Sequence, residues 1–406
     1  MLSNLFKSLF VGGFIYFGMT TPSWTAPVTN SAILTAVGYY IFAPSSPLSY
    51  ISLDNGNSWQ VSNTLPAPLS NLSNQLFGIS CYQTNCVAVG TYSDGIQNFP
   101  LSYTSTDNGI NWVVSTTLPP ALNTSTHTLQ TVSCDNANNC VAMGNYVSGA
   151  ASLPLAYTSH DNGKNWIVAT SLPIELGSIT NSISSVSCDY SNHCVAVGYY
   201  LDSTFTYTPL CYTSNDNGQN WALSPAIPIL NSNNRLQSVS CDNNNNCVAV
   251  GLYSNGSLVL PLSYTSSDNG SNWILSVTQP PEIVGSNFYS IGGINCNQSG
   301  HCILAGTYAN NGVRMPLAYL SNDYGKNWLM STTQPPMQNA DQCSLTSAFC
   351  DNGNYCTSVG YCSTGMISFS VSYVSTDGGN NWRASTTQPP IQSSFDLLFS
   401  LSGNGA

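Results

Sequence analysis

One eight-residue string recurs seven times along the chain: SLDNGNSW at Ser52–Trp59, STDNGINW at Ser105–Trp112, SHDNGKNW at Ser159–Trp166, SNDNGQNW at Ser214–Trp221, SSDNGSNW at Ser266–Trp273, SNDYGKNW at Ser321–Trp328 and STDGGNNW at Ser375–Trp382. Its aspartates, Asp54, Asp107, Asp161, Asp216, Asp268, Asp323 and Asp377, lie 53, 54, 55, 52, 55 and 54 residues apart. A period of that length means one supersecondary unit copied in tandem, each copy packing on its neighbours.

Within one copy the pattern is consistent. Leu236–Cys241 is followed by an Asp- and Asn-rich loop, then Cys247–Tyr253, Leu260–Ser266, the Asp string and Trp273–Ser276. Each apolar run is short, rich in β-branched and aromatic residues, and bounded by Asn, Asp, Gly or Pro, which reads as a strand. Helical periodicity is absent. Four strands per copy and seven copies predict an all-β, seven-bladed β-propeller of four-stranded antiparallel blades. The first copy, starting at Leu34–Tyr40, lacks an innermost strand. Leu398–Gly403 matches that missing strand, so the N- and C-terminal strands are expected to pair and close the ring.

Cysteines repeat with the same period. The pairs Cys81–Cys86, Cys134–Cys140, Cys188–Cys194, Cys241–Cys247, Cys296–Cys302 and Cys350–Cys356 each span the turn between the first two strands. In the split copy Gly403 and Leu34 take both positions, so both cysteines are missing together. Disulfides are expected, each contributing about 2 kcal/mol by loop closure. Cys343 and Cys362 are expected to form a seventh. Cys211 is left over, and a buried, inert thiol is expected for it.

The first residues constrain location. Lys7 precedes an apolar stretch, Leu9–Met19, too short to span a bilayer. Residues 1–26 are expected to be an export signal and 27–406 a single domain, secreted or periplasmic, with no integral membrane segment after signal removal. An uncleaved anchor is the alternative. Only 6% of residues are charged and the net charge is −11. Such a surface repels phosphate backbones, which argues against nucleic acid as a partner. No nucleotide fingerprint occurs, the four histidines do not cluster along the repeat, and neither a cofactor nor a metal is expected.

Ser/Thr-x-Asp-x-Gly-x-x-Trp resembles the Asp box, or BNR repeat, of sialidase-like propellers, and the resemblance covers nearly all of residues 31–403. It implies that the seven strings are structural turns on the face away from any catalytic centre. Sialidases of this kind use an arginine triad, a tyrosine–glutamate nucleophile pair and an aspartate acid/base. This chain has three arginines, Arg235, Arg314 and Arg383. They are expected before a first strand, between second and third strands, and in a fourth strand. The Arg-Ile-Pro signature is absent, so the triad is not carried over.

Function is then expected on the opposite face, where the loops diverge between copies: Ser93–Phe99, Val147–Leu153, Leu201–Thr208, Ser254–Leu260, Ala309–Met315 and the proline-led connectors. Candidate binding residues there are Tyr92, Tyr146, Tyr200, Asp202, Arg235, Tyr253, Tyr308 and Arg314, with Tyr207 and Tyr361 also on offer; packing within the sheets is the alternative for the tyrosines. The acids outside the strings and cysteine loops, Asp94, Asp202, Asp341, Asp396, Glu175 and Glu282, also fall near that face. No catalytic residue is assigned. The leading expectation is a monomeric, non-catalytic protein binding a glycan or extracellular protein. An exo-acting glycosidase with a non-standard site is one alternative. An assembly factor is another, since photosystem II assembly proteins resemble this ring.

Overall fold

Short β-branched runs cut by Asn, Asp and Gly can neither extend into long strands nor sustain a helix, and the chain folds accordingly. A computed structural model describes residues 31–41, 44–122, 126–176, 180–225 and 227–404; the segment expected to be an export signal lies outside them. The described residues are all-β, and none of them forms a helix long and apolar enough to cross a membrane.

The fifth repeat shows the plan. Strands Ser232–Cys241, Cys247–Ser254, Val259–Ser266 and Ile274–Leu275 pair antiparallel in sequence order. Units 2, 3, 4, 6 and 7 repeat it, with first strands at Ser73–Tyr82, His127–Cys134, Thr180–Cys188, Ser286–Cys296 and Gln342–Cys350. The fourth strand is shorter than the sequence suggests, two residues in each unit. Unit 1 draws on both ends of the chain. Its second strand, Leu34–Ile41, pairs antiparallel with Asp396–Gly403, and Leu34 lies opposite Gly403 as Cys86 lies opposite Cys81.

Seven apolar layers hold the units together, one at each junction. Between units 3 and 4, for example, Val141, Met143 and Ala156 pack against Ile183, Ala196, Tyr212 and Trp221. The layer holding Trp59, Leu34 and Leu398 also contains Val359 of unit 7, so the last unit packs on the first. Polar rungs follow the same order. Ser80, Ser133, Ser187 and Ser240 each accept, through Oγ, the backbone N–H of the next unit's first cysteine at 3.0 Å. Ser402 accepts that of Cys81 at 2.9 Å. On the outer side Ser62 and Ser115 donate to the turn carbonyls of Gly109 and Gly163, and Ser385 of unit 7 donates to Gly56 of unit 1 at 2.6 Å.

Each of the seven Asp carboxylates is bonded within its own turn. In the first, Asp54 accepts bonds from the Ser58 N–H and hydroxyl and from Ser52, while Gly56, at φ 78°, donates its N–H to Ser52. The residue before this glycine also has positive φ, from Asn55 at 57° to Tyr324 at 57°, which explains the repeated Asn-Gly. The same carboxylate pattern holds Asp107, Asp161, Asp216, Asp268, Asp323 and Asp377. All seven disulfides form, including Cys343–Cys362. Such density fits an oxidising environment.

Candidate functional site

Every first strand carries an extra residue near its middle where it pairs with the second, and those of units 5 and 6 carry another near their start. The mid-strand register slips fall at Phe77, Gln130, Ser184, Gln237, Gly292, Thr346 and Phe399. A bulge kinks the strand and re-aims the extra side chain. The facing position is always glycine. A Cβ on Gly90, Gly144 or Gly251 would lie 1.9 Å from the carbonyl oxygen of Gln75, Thr128 or Arg235, so no larger residue fits without moving backbone. The seven bulged residues face one central channel and form its waist.

Above the waist, on the side of the variable hairpins and connectors, the channel widens into a cavity of about 460 Å³. Its wall is aromatic on one side. Phe399 stacks on Tyr39 at 5.3 Å and meets Phe77 edge-on at 5.6 Å; Tyr361 and Phe288 extend the surface. The Arg314 guanidinium lies 5.4 Å from the Phe288 ring centroid. Thr128, Gln130, Ser184, Ser290 and Ser344 add hydroxyls and an amide, and Ile291 and Leu345 add aliphatic surface. Among the described residues Arg314 is the only charged one in the lining, and no carboxylate joins it there.

Of the residues expected to bind, Arg314 and Tyr361 line this cavity. Arg314 lies inside a third strand, Val313–Ser321, and not in the preceding loop. Arg235 lies within a first strand rather than before it, and rests 5.5 Å from the Tyr207 ring. Arg383 is in a fourth strand, as expected, and bonds Asn57 at 3.0 Å. Tyr92, Tyr146, Tyr200, Tyr253 and Tyr308 are half-buried and pack against the layers between units. Strand alternation explains the difference: the residue one place earlier faces the channel, as Thr307 and Tyr361 do.

Of the remaining acids, Glu175 and Glu282 are exposed, and the four aspartates are engaged locally. Asp202 accepts the Thr204 hydroxyl and the N–H groups of Thr204 and Thr206, and these bonds hold its pKa below the ordinary value. Asp94 caps its own turn through the N–H groups of Gln97 and Ile96, with the same effect. Asp341 accepts the Gly365 N–H at 2.9 Å. Asp396 is no loop acid: it starts the closing strand, fully buried, and accepts the Gln392 N–H and the Ser393 hydroxyl. Burial outweighs those bonds and raises its pKa. His127 is likewise buried in a first strand, not in a connector, where Nε2 accepts the Leu122 N–H at 2.8 Å. His301, Cys350 and Cys356 cluster, but the two sulfurs are bonded to each other. Cys211 is fully buried, which pushes its thiol up to about 11 against the Ser224 and Trp273 hydrogen bonds. It does not ionise at neutral pH.

Phe77, Phe288 and Phe399 were not legible as site residues. They sit on first strands and read as core. The signal was that other copies carry Gln, Ser or Thr at the Phe77 and Phe399 positions, which no core position would alternate with.

No family model matches the chain, and no curated protein matches it in sequence. Solved structures do match in fold. The ulvan lyase of polysaccharide lyase family PL25, bound to -[GlcA(1-4)Rha3S]-, aligns with a TM-score of 0.51 at 10% identity, covering 75% of this chain and 80% of that one. The α-L-arabinanase of Penicillium chrysogenum, complexed with arabinobiose, aligns at 0.48 and 12% identity over 86% of this chain and 96% of its own. Hadza microbial sialidase Hz136 aligns at 0.46 and 11% identity over 75% and 83%. At such identities the likeness is one of fold: an all-β chain of four-stranded antiparallel sheets, similar to propellers of carbohydrate-active enzymes.

Proposed function

We propose that the chain is a secreted, closed seven-bladed propeller of the Asp-box type that binds a glycan in the axial cavity without cleaving it. The seven junction layers, with unit 7 packed on unit 1, support the ring. The observation that carries the function is the cavity lining: aromatic faces for sugar C–H surfaces, hydroxyls and amides for sugar hydroxyls, one guanidinium and no acid. Hydrolysis by the usual route needs two carboxylates flanking the bond, and the lining offers none. The ulvan lyase of similar fold holds a polysaccharide fragment, in keeping with this reading.

A glycan array followed by calorimetry tests it. Binding without turnover of chromogenic glycosides is expected, weakened about tenfold, or about 1.4 kcal/mol, by Arg314→Ala. Turnover of any glycoside would favour the glycosidase instead. A protein partner is the second reading. It is favoured by apolar loop tips on the same face, Ile96 at 92%, Met366 at 88% and Phe205 at 71% exposure. A stable complex recovered without glycan binding would establish it.

A further inference from the structure

The opposite mouth of the channel holds a second cavity, of about 430 Å³, on the face of the disulfide loops. That face repeats faithfully from unit to unit, and repetition there serves the scaffold. The cavity is lined where the repetition fails. Tyr82 follows the first cysteine of unit 2, where Asp135, Asp189, Asp242 and Asp351 stand in units 3, 4, 5 and 7. Those four aspartates are nearly or fully enclosed and cap their own turns. Tyr82 instead projects a ring, meeting Tyr190 of unit 4 edge-on at 5.5 Å and 69°.

Unit 7 departs in the same place. Phe349 stands where other units carry Ser or Asn to accept the next unit's N–H. Its ring lies over Gly403, where any Cβ would come within 2.7 Å of it. Gly403 is the position where six other units have cysteine, so the lost disulfide makes room for the aromatic floor. Around these rings stand carboxamides. Gln83 and Asn352 are exposed and make no hydrogen bond with another described residue, and among the described residues no charged side chain lines the cavity.

We propose that this lower mouth is a second saccharide site, selective for neutral sugars. Aromatic faces stack on sugar C–H surfaces, and amides both donate to and accept from hydroxyls. An uncharged lining gives nothing to offset the desolvation of a carboxylate or sulfate, so acidic sugars are refused. The volume lies within the range of small-ligand sites.

The test is isothermal titration and saturation-transfer NMR on the exported protein with glucose, galactose, mannose, N-acetylglucosamine and their β-linked dimers. At least one neutral sugar is expected to bind. Tyr190→Ala and Asn352→Ala, both at exposed positions, are expected to weaken it about tenfold or more with melting temperature unchanged. Arg314→Ala, in the upper cavity, is expected to leave it unaltered, so that the two mouths fail or succeed separately. The proposal is overturned if no neutral sugar binds, if Arg314→Ala abolishes the binding while Tyr190→Ala does not, or if acidic sugars bind the lower mouth as well.

Discussion

Among the described residues, Trp221 is the one indole whose Nε1–H is buried without an acceptor. The cause lies in the preceding unit. Ser49, Ser102 and Ser263 accept the indole N–H of Trp112, Trp166 and Trp328 at 2.9–3.0 Å, and Cys211 accepts that of Trp273 through sulfur at 3.3 Å. The equivalent of those serines beside Trp221 is Ala156, fully buried. Ala156→Ser is therefore expected to stabilise the protein by about 1 kcal/mol, the usual net value of a satisfied hydrogen bond. A shift of the urea midpoint upward, with unchanged slope, is the readout; a downward shift would mean that the hydroxyl does not fit. The same comparison shows what a single sequence can carry. The serine, tryptophan and Asp-turn positions were legible because seven copies agree on them. The bulges were not, because the bulged residue is the most variable in the strand and the glycine opposite it looks like ordinary strand punctuation. Arg314 was legible as a rare cation, but the phenylalanines of its cavity were hidden among core residues.

At the scale of the element, the disulfides differ in what they constrain. Six close loops of five or six residues, whereas Cys343–Cys362 closes nineteen. Loop-closure entropy gives about 2 kcal/mol for a short one and about 3 kcal/mol for the long one. Replacing Cys343 and Cys362 by Ala is expected to cost more stability in urea denaturation than replacing Cys241 and Cys247. Equal losses would show that packing of the sulfurs outweighs the loop. The Asp turns govern the acid limit. Burial raises the pKa of Asp161, Asp216, Asp268, Asp323 and Asp377, but bonds from the following Asn side chain and N–H, and from the preceding Ser, outweigh it, so each is lowered. A carboxylate depressed in the folded state stabilises it above the unfolded pKa, and that contribution is lost as pH falls through the folded value. Melting temperature is expected to hold from neutrality to about pH 4 and then fall steeply. Asp396, raised by burial, acts with the opposite sign and softens the fall. A melting temperature flat down to pH 2 would contradict this account.

At the scale of the whole molecule, eight residues join the last part of the described chain to the first. Asp396–Gly403 pairs with Leu34–Ile41, supplies Ser402 to the Cys81 N–H and Ser400 to the Ile79 N–H, and bonds its own Leu401 N–H to Ser347. Deleting residues 396–406 is expected to abolish cooperative unfolding and the near-ultraviolet dichroism of the packed tryptophans. A truncated chain melting like the full one would show that the remaining junctions suffice.

Unit 1 also lacks the internal disulfide that the other six units have, and its junction with unit 7 lacks the hydroxyl or amide acceptor that Phe349 replaces. The segment Asp396–Gly403 is held by strand pairing, packing and hydrogen bonds, with no covalent link to its neighbours. Near the melting temperature the tail of one molecule can leave its groove and enter that of another, an exchange that reproduces every native contact across two chains. Concentrated protein warmed and cooled should yield a slowly reverting dimer on a sizing column. A new disulfide between positions 34 and 403, made together with Phe349→Ser to clear the ring that lies over Gly403, should prevent it.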